Sequence, residues 1–598
     1  MQLQENNTHR YRIFAVSLFI LLFCYLLIRC LLNAPLQDEL ITFSYYIQSG
    51  RPYNNDVPID ANNHLLNTYL ASIFYQLGGT GFFWLRLPNL LSFGLFFFSC
   101  YSLLKNLKTN YLRYTGLIAL SCVPAFLEYF AFCRGYGLSL AFLVFSLLQL
   151  SRFVRQNNDH AFGWALFSIL LAAMANLSIL PLCLFVFGYM LAACMFRKRM
   201  SLRKLLTNRV LPVIIFLAGL AYLLAYSFRL KAGNALYWGG TEGLWGTTGS
   251  SLNQDLLFSS AGMWKYVHGL LLLMFALHLI VALLREKFRA LFIRTDLMLV
   301  FALLSLLIFI ECSFRILGLL YPLQRGGLHI ALLFLLCLIF LLDTIRIGKY
   351  LHWPLLWFAA GFLLHINIYS SISSPGDRIP DTLYAKLRPY LTDSTSILCS
   401  THLFPSFQYR QLQDHQLHFA LRGEEQAAWS DLWITRTDLL KETVPPQYRL
   451  IAGDAASRIH IYRRLPAQQV RVAAKGQLGA VHQVKGENVY PLVPRMAYGL
   501  QPGEGLSFEI SGKLVAPAVA SNLQLHIGGF DEHGNAAYFS YTDLRMLLQG
   551  RKLNEPFRFN IVPEGLKGTE KELTIYLWSP AGEKLVIRNL EYKVVVIR

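Results

Sequence analysis

Asp38 and Glu39 stand next to each other just beyond the first long apolar run, Ile13 to Leu32. Two adjacent carboxylates at a membrane boundary are costly to desolvate unless they face a cavity or a partner. In a cavity, one of them could take a proton from a reacting hydroxyl while the other orients it. Solvated carboxylates at a helix end are the plain alternative. About twenty-five residues on comes Asp60-Ala61-Asn62-Asn63-His64-Leu65-Leu66-Asn67, then Gly78-Gly79 and Arg86-Leu87-Pro88-Asn89. Further along lie Glu128, Arg134-Gly135-Tyr136 and Tyr321-Pro322-Leu323-Gln324-Arg325. Arginines with a histidine could hold an anion such as a phosphate. They could equally snorkel to lipid headgroups, and Glu128 could simply pair with Arg134. His64 could cap or polarise its loop, or join Glu128 and Asp38 around a divalent cation, although no DxD-type cluster insists on a metal. Tyr237, Trp238 and Trp245 sit among glycines in the stretch 229–265, followed by Asn253-Gln254-Asp255. Such rings could stack on a sugar or belong to an interfacial aromatic belt.

The elements that must position these residues are apolar helices. Of 598 residues, 55% are hydrophobic and only 15% charged, where an ordinary soluble domain has about 25% charged. The first run has basic residues before it and no small-residue cleavage site after it, so it reads as a retained span rather than a signal peptide. Further candidate spans cover about 88–105, 115–131, 136–151, 161–177, 179–196, 210–228, 266–284, 297–313, 327–343 and 353–370, eleven with the first. Almost nothing joins 161–177 to 179–196, so one of these two is expected to be tilted or re-entrant.

The formal charge of +19 acquires a meaning from its placement. Arg10 and Arg12 and the loops beginning at Lys105, Arg152, Arg197, Arg285 and Arg346 hold nineteen Lys and Arg, against eight in the alternate loops from Arg51 to Arg325. The positive-inside rule then puts the N-terminus in the cytoplasm and everything after about residue 370 outside it. A nucleic-acid partner is not needed to explain the charge. The basic loops contain no GxxxxGK[ST] phosphate loop, so an internal ATPase is unsupported. Nine of the ten cysteines lie in or beside apolar runs and no CxxC pair occurs, which argues against a disulfide framework or a thiolate zinc site.

Beyond residue 370 the pattern changes. Ser373-Ser374-Pro375-Gly376-Asp377 reads as a turn. Over 371–465, Ile397-Leu398-Cys399 and Arg458-Ile459-His460-Ile461-Tyr462 read as strands and Glu424 to Lys441 as a helix, a small α/β unit. Over 466–598, Leu506, Phe508 and Ile510 alternate with polar residues, as do Leu523, Leu525 and Ile527; Phe557, Phe559 and Ile561, then Leu573, Ile575 and Leu577, follow. Turn-like stretches at 531–535 and 579–582 separate them. Regular short strands of this kind predict a β-sandwich or jelly roll, either an accessory module or a carbohydrate-binding one.

The Asp-Glu pair after the first span, the Asn/His-led helix in the first loop, Arg-Leu-Pro entering the second span, an acid before Arg-x-Tyr and a late Pro-x-x-Arg together resemble the GT-C superfamily of polytopic glycosyltransferases. Within it, the chain is similar to bacterial relatives of protein O-mannosyltransferases and of the lipid A aminoarabinose transferase, over about residues 11–370. His64-Leu65 stands where the family commonly has His-Pro, and Glu128 lies further from Arg134 than in the compact family pattern. The resemblance implies a polyprenyl-phosphate-linked sugar donor and transfer, usually with inversion, to a lipid, glycan or protein acceptor outside the cytoplasm, in a bacterial inner membrane. Asp38 would be the general base and Glu39 its assistant. Arg134, Arg325 and His64 would hold the donor phosphate, with Glu128 in support, and Tyr237 and Trp238 would stack on the sugar or acceptor. Two other functions remain open at this level: a lipid or glycan flippase, and a non-catalytic subunit of polysaccharide assembly. No internal repeat of the transporter kind is visible, and the charged groups gather at one face rather than mid-bilayer.

Overall fold

The computed structural model describes residues 2–598 apart from 49, 51–58, 80, 157, 159, 197–209, 346–349, 373, 415–417, 424–426, 441–442, 467–468, 482–487, 502, 516–522, 545–555, 567–569 and 580–584. Arg51, the basic residues at 197–209 and 346–349, Ser373, and both ends of the expected 424–441 helix therefore lie outside the described residues, as does most of the 579–582 turn. The chain forms two compact units. One comprises Met1–Asn33 with Pro58–Ser373, the other Ala34–Val57 with Ser374–Arg598.

The first unit is helical. Among the described residues, eight helices are long and apolar enough to cross a membrane: His9–Leu32, Phe82–Leu104, Gly135–Arg155, Leu177–Phe196, Val210–Ala232, Trp264–Glu286, Thr295–Leu317 and Gln324–Thr344. In lipid, a helix is favoured because it satisfies its own backbone polar groups. The other three expected spans form shorter helices. The 115–131 stretch breaks into Asn110–Ser121 and Pro124–Phe130. Pro124 lacks the N–H that would continue the first helix and sits instead at the start of the second. His160–Ala175 has 16 residues, about 24 Å of helix against the roughly 30 Å of hydrocarbon that a perpendicular span must cross. Asn176 ends it there, its side chain accepting the N–H of Ser178 at 3.2 Å. The last, Trp353–Leu364, is also short.

Two buried arginines tie this unit together. Arg86, fully buried, donates through Nη1 to the carbonyls of Cys30 at 3.1 Å and Asn33 at 2.7 Å. It thus satisfies carbonyls that the first helix leaves open at its C-terminal end. Arg29, also fully buried, donates to Tyr25 Oη and to the Ser370 carbonyl, both at 3.1 Å. Both guanidinium groups lie over the Phe132 ring, at 5.5 and 5.4 Å.

The second unit is α/β and then all-β. Strands β1 (Ile397–Cys399), β2 (Ala420–Arg422), β3 (Leu432–Arg436), β4 (Tyr448–Asp454) and β5 (Ile459–Arg464) form a sheet in the order β2-β1-β3-β5-β4. The expected 424–441 helix is corrected here: its centre is β3. Leu432, Trp433, Ile434 and Thr435 are all buried between β1 and β5, and β-branched and aromatic side chains suit a central strand.

The remaining strands are β6 (Gln469–Leu478), β7 (Val489–Ala497), β8 (Gly505–Val515), β9 (Gln524–Phe530), β10 (Ala536–Asp543), β11 (Pro556–Ile561), β12 (Glu572–Trp578) and β13 (Val586–Ile597). They make two four-stranded antiparallel sheets, β10-β9-β12-β7 and β11-β8-β13-β6. The alternating residues Leu506, Phe508, Ile510, Leu525, Ile527, Phe559, Ile561, Leu573, Ile575 and Leu577 are all buried in one core, as period-two patterning requires. Asp531 closes the β9–β10 hairpin by accepting the N–H groups of His533 and Asn535. The sandwich is clasped to the α/β sheet by Glu564. Its carboxylate takes three successive backbone N–H groups, those of Ala428 at 2.9 Å, Trp429 at 3.0 Å and Ser430 at 2.6 Å.

Candidate functional site

In the first unit, a polar chain runs through loops that are far apart in sequence. Its anchor is Gly135. A Cβ there would stand 2.0 Å from the Ala175 carbonyl oxygen and 2.7 Å from His64 Cβ, so only glycine admits this approach. That closeness sets His64, the residue before the Leu65–Gly78 helix, against the start of the Gly135–Gln156 helix. His64 Nδ1 donates to the Ala175 carbonyl at 2.7 Å, and its ring meets Tyr136 edge-on at 4.7 Å. A carbonyl only accepts, so Nδ1 carries the proton, and the neutral imidazole presents Nε2 as an acceptor. His64 could therefore donate to a phosphate through Nε2 only as imidazolium.

Arg134, 2% exposed, grips the first loop: Nη1 donates to the Asn62 carbonyl at 3.3 Å and Nη2 to the Asn62 side chain. It also lies 5.9 Å from the Tyr136 ring. Asp60 holds the same loop by accepting the Asn62 N–H at 2.9 Å, and it accepts the Tyr237 hydroxyl at 3.4 Å. Next to Tyr237, Trp238 has the Arg325 guanidinium over its ring at 5.3 Å. The local fold explains that meeting. Gly240 and Tyr321 pair as a two-residue antiparallel bridge, and a Cβ on Gly239 would collide with Leu320 and the Tyr321 carbonyl. Tyr237 and Trp238 are 62% and 52% exposed, so their rings are available to a ligand.

The Ser250–Leu257 helix docks on the same loop. Thr248 Oγ1 donates to the Pro322 carbonyl at 2.7 Å, and Ser251 Oγ accepts the Gln324 N–H at 2.9 Å. This docking brings Asp255 under the influence of both Arg325 and Glu128. Burial, reinforced by the Glu128 carboxylate and opposed by the Arg325 cation, pushes the Asp255 carboxyl up to about 7. Asp255 is the group that the sequence reading passed over. It appeared there only as the end of Asn253-Gln254-Asp255, because nothing local to that tripeptide signals the docking. Glu128, almost wholly buried, accepts the Ser371 hydroxyl and, at 3.0 Å, the Ile372 N–H. It thereby fixes the chain where it leaves the last apolar helix. His64, Arg134, Tyr237, Trp238, Arg325 and Glu128 thus join, through Asn62, Asp60, Tyr136 and Asp255, into one connected set.

Asp38 and Glu39 belong to the second unit. They lie in the first turn of the short helix Gln37–Thr42. Glu39 is fully buried, and its Oε2 accepts the Leu36 N–H at 3.0 Å, the return half of a capping box. That bond gives Glu39 a structural task at the helix start. The Gln37 N–H donates to the Asp377 carbonyl at 3.1 Å, and Gln37 Oε1 lies 3.1 Å from His402 Nδ1. The Asp38 carboxylate adds to the burial that raises the Asp377 carboxyl, against the lowering effect of Arg436. Among the described residues, no three His, Cys, Asp or Glu side chains gather closely enough to hold a metal ion.

Eight long apolar helices with polar loops, followed by an α/β sheet and a β-sandwich, define an integral, multi-pass membrane protein with a large non-membranous C-terminal region. No family model and no curated protein matches the sequence. Among solved structures it is similar to ArnT from Cupriavidus metallidurans. The apo state gives a TM-score of 0.35 at 12% identity, covering 75% of this chain and 97% of that one. The same enzyme bound to undecaprenyl phosphate gives 0.37 at 13%, with the same coverage. It is also similar to the arabinosyltransferase EmbB from Mycobacterium smegmatis, with a TM-score of 0.31 at 10% identity over 96% of this chain and 64% of that one.

Proposed function

We propose that the chain is a membrane glycosyltransferase that moves a sugar from a polyprenyl-phosphate-linked donor to a lipid, glycan or protein acceptor on the non-cytoplasmic face of a bacterial inner membrane. The observation that carries this reading is the Arg325–Trp238–Asp255 arrangement. A cation for a phosphate and an exposed aromatic ring for a sugar stand together where the Gln324–Thr344 helix begins and in the 229–265 segment, beside a carboxyl poised near neutrality. Stacking on Trp238 uses the flat face of the guanidinium and is compatible with phosphate bonds along its edge. The donor class is the one implied by the motifs at Asp38-Glu39, Arg134-Gly135-Tyr136 and Pro322 to Arg325. The basic cytoplasmic loops support an N-terminus inside and a C-terminal region outside.

In the proposed step, the acceptor hydroxyl loses its proton to Asp38 and its oxygen bonds the anomeric carbon. The bond from that carbon to the phosphate oxygen breaks, and polyprenyl phosphate leaves with the electron pair. Negative charge nearby favours the oxocarbenium-like transition state, and Arg325 offsets the charge developing on the phosphate. Arg134 and Glu128 hold the loops. The test is transfer from a labelled polyprenyl-phosphate sugar by the purified protein and by Asp38→Asn. Loss of transfer in a correctly inserted variant is expected. Full transfer by Asp38→Asn would remove it as the base. Lipid movement across liposomes without any transfer would replace the enzyme by a flippase.

A further inference from the structure

The β-sandwich carries a surface that the transferase reading does not use. In β9 and β12, Leu525, Ile527, Leu573, Ile575 and Leu577 point into the core. Their neighbours must therefore point out, where a sheet facing water is ordinarily polar. Here that outward face carries Phe539, Tyr541, Tyr576 and Trp578 grouped around His526. Tyr541 and Tyr576 stand directly opposite His526 on the two flanking strands. Their rings are stacked on the imidazole at 5.7 and 5.2 Å, tilted by only 26° and 21°. Trp578 meets it edge-on at 5.4 Å and Phe539 lies at 5.2 Å. Phe539 and Tyr541 are 57% and 38% exposed. Cross-strand register thus fixes a row of rings before any ligand arrives, so little side-chain entropy remains to be lost on binding.

A second observation points to a ligand with hydroxyl groups. His526 is 93% buried, yet Nδ1 has no hydrogen-bond partner, while Nε2 is satisfied by Gln524 Oε1 at 3.0 Å. A buried polar atom left open in this way is costly. Burial pushes this histidine down to about 4, so it is neutral near pH 7 and Nδ1 is an acceptor suited to a hydroxyl donor. The charge on the face excludes the obvious rival. β9, β10 and β12 contain no lysine or arginine, and their charged residues are Asp543 and Glu572. Arg495, on the neighbouring β7, is held by Glu572 at 2.5 Å. Adsorption to anionic lipid needs basic residues.

We propose that the outward face of the β10-β9-β12-β7 sheet binds a neutral glycan chain, whose sugar rings lie on Tyr541, Phe539 and Trp578 and whose hydroxyl groups reach the Gln524 and His526 side chains. The inference rests on the sheet alone and stands whether or not the helical unit transfers sugar.

The test uses the full-length protein in detergent and a panel of neutral gluco-, manno-, galacto- and arabino-oligosaccharides, with binding read by ligand-observed NMR and calorimetry. At least one member of the panel is expected to bind. Tyr541→Ala and Trp578→Ala should each weaken it by about tenfold, the effect of truncating an aromatic anchor. Tyr541→Phe, which keeps the ring, should retain binding, and the melting temperature of Tyr541→Ala should match wild type. The proposal is overturned if no oligosaccharide binds, if binding survives both alanine variants, or if the same variants instead abolish adsorption to vesicles of phosphatidylglycerol.

Discussion

Asp255→Asn is the substitution that most directly probes the chemistry of the helical unit. The Asp255 carboxyl lies at about 7 rather than at its ordinary 3.8, mainly through burial and then through Glu128, with Arg325 opposing. A folded-state value above the unfolded one means that the native protein holds a proton which the unfolded chain gives up. Stability from this group is therefore full below about pH 4, falls as the pH rises towards 7, and is flat beyond. At about 1.4 kcal/mol per unit, the span between about pH 5 and pH 7 corresponds to roughly 2 kcal/mol from this single carboxyl. Partial exposure and relaxation will reduce that figure, but not its sign. Other groups titrate in the same range, so the quantity to measure is the difference between wild type and Asp255→Asn. Thermal unfolding in detergent at several pH values supplies it. The asparagine variant should gain on wild type as the pH rises from 5 to 7 and keep a constant advantage above that. A difference that does not change with pH would show that Asp255 titrates normally and that its burial beside Glu128 and Arg325 has been misjudged.

Other perturbations separate structural from functional roles. Arg325→Ala should raise the KM for the lipid-linked donor by one to two orders of magnitude, the loss of a charge-assisted phosphate contact worth about 1.5–3 kcal/mol, and leave the melting temperature almost unchanged; kinetics with a defined donor decide it. Gly135→Ala should abolish correct folding, since its Cβ would sit 2.0 Å from the Ala175 carbonyl oxygen; the yield of monodisperse protein after extraction reports this. Glu564→Ala strands three backbone N–H groups and should cost about 2–3 kcal/mol or more, read as earlier proteolysis between the α/β sheet and the sandwich, whereas Glu564→Gln, keeping one carbonyl acceptor, should fall between.

How far the molecule was legible depended on whether a pattern was local. The sandwich strands were visible because period-two alternation is written into each segment, as in Leu506, Phe508 and Ile510. The long helices were visible because each carries an almost unbroken apolar run of about sixteen to twenty residues. The 115–131 stretch was misread as one helix despite Pro124, because hydropathy averages over a residue whose effect is a missing hydrogen bond. The 424–441 stretch reads as a helix by its local pattern, while its centre, Leu432 to Arg436, is decided by burial between two other strands. Asp255 and Gly135 were opaque for a different reason. A raised carboxyl and a forbidden Cβ are both consequences of who the neighbours are, and the neighbours come from about 70 or more residues away in one case and about 40 or more in the other.

The arginines show how geometry can rank residues that sequence treats alike. Arg29, Arg86, Arg134 and Arg325 all lie at or near helix ends, and any of them could be nominated as a phosphate ligand. Arg29 and Arg86 direct donors to backbone carbonyls and are fully buried. Withdrawing them would leave backbone carbonyls open in a low-dielectric surrounding, those of Cys30 and Asn33 at a helix end and that of Ser370, so their charge serves the scaffold. Arg134 divides its Nη groups between the carbonyl and side chain of Asn62 and is 2% exposed. It positions the loop that Asp60 also ties to Tyr237. Arg325 differs on both counts: it is only partly buried, and it lies on the exposed Trp238 ring, beside a carboxyl whose raised value keeps it from being a permanent counter-ion near pH 7. An arriving phosphate would add negative charge beside Asp255 and raise that carboxyl further, so the proton stays on Asp255 while the guanidinium turns to the ligand. Of the two arginines that the resemblance nominates for the donor, the proposed function therefore takes Arg325 for the phosphate and Arg134 for the loop, and the Arg325→Ala kinetics test that choice.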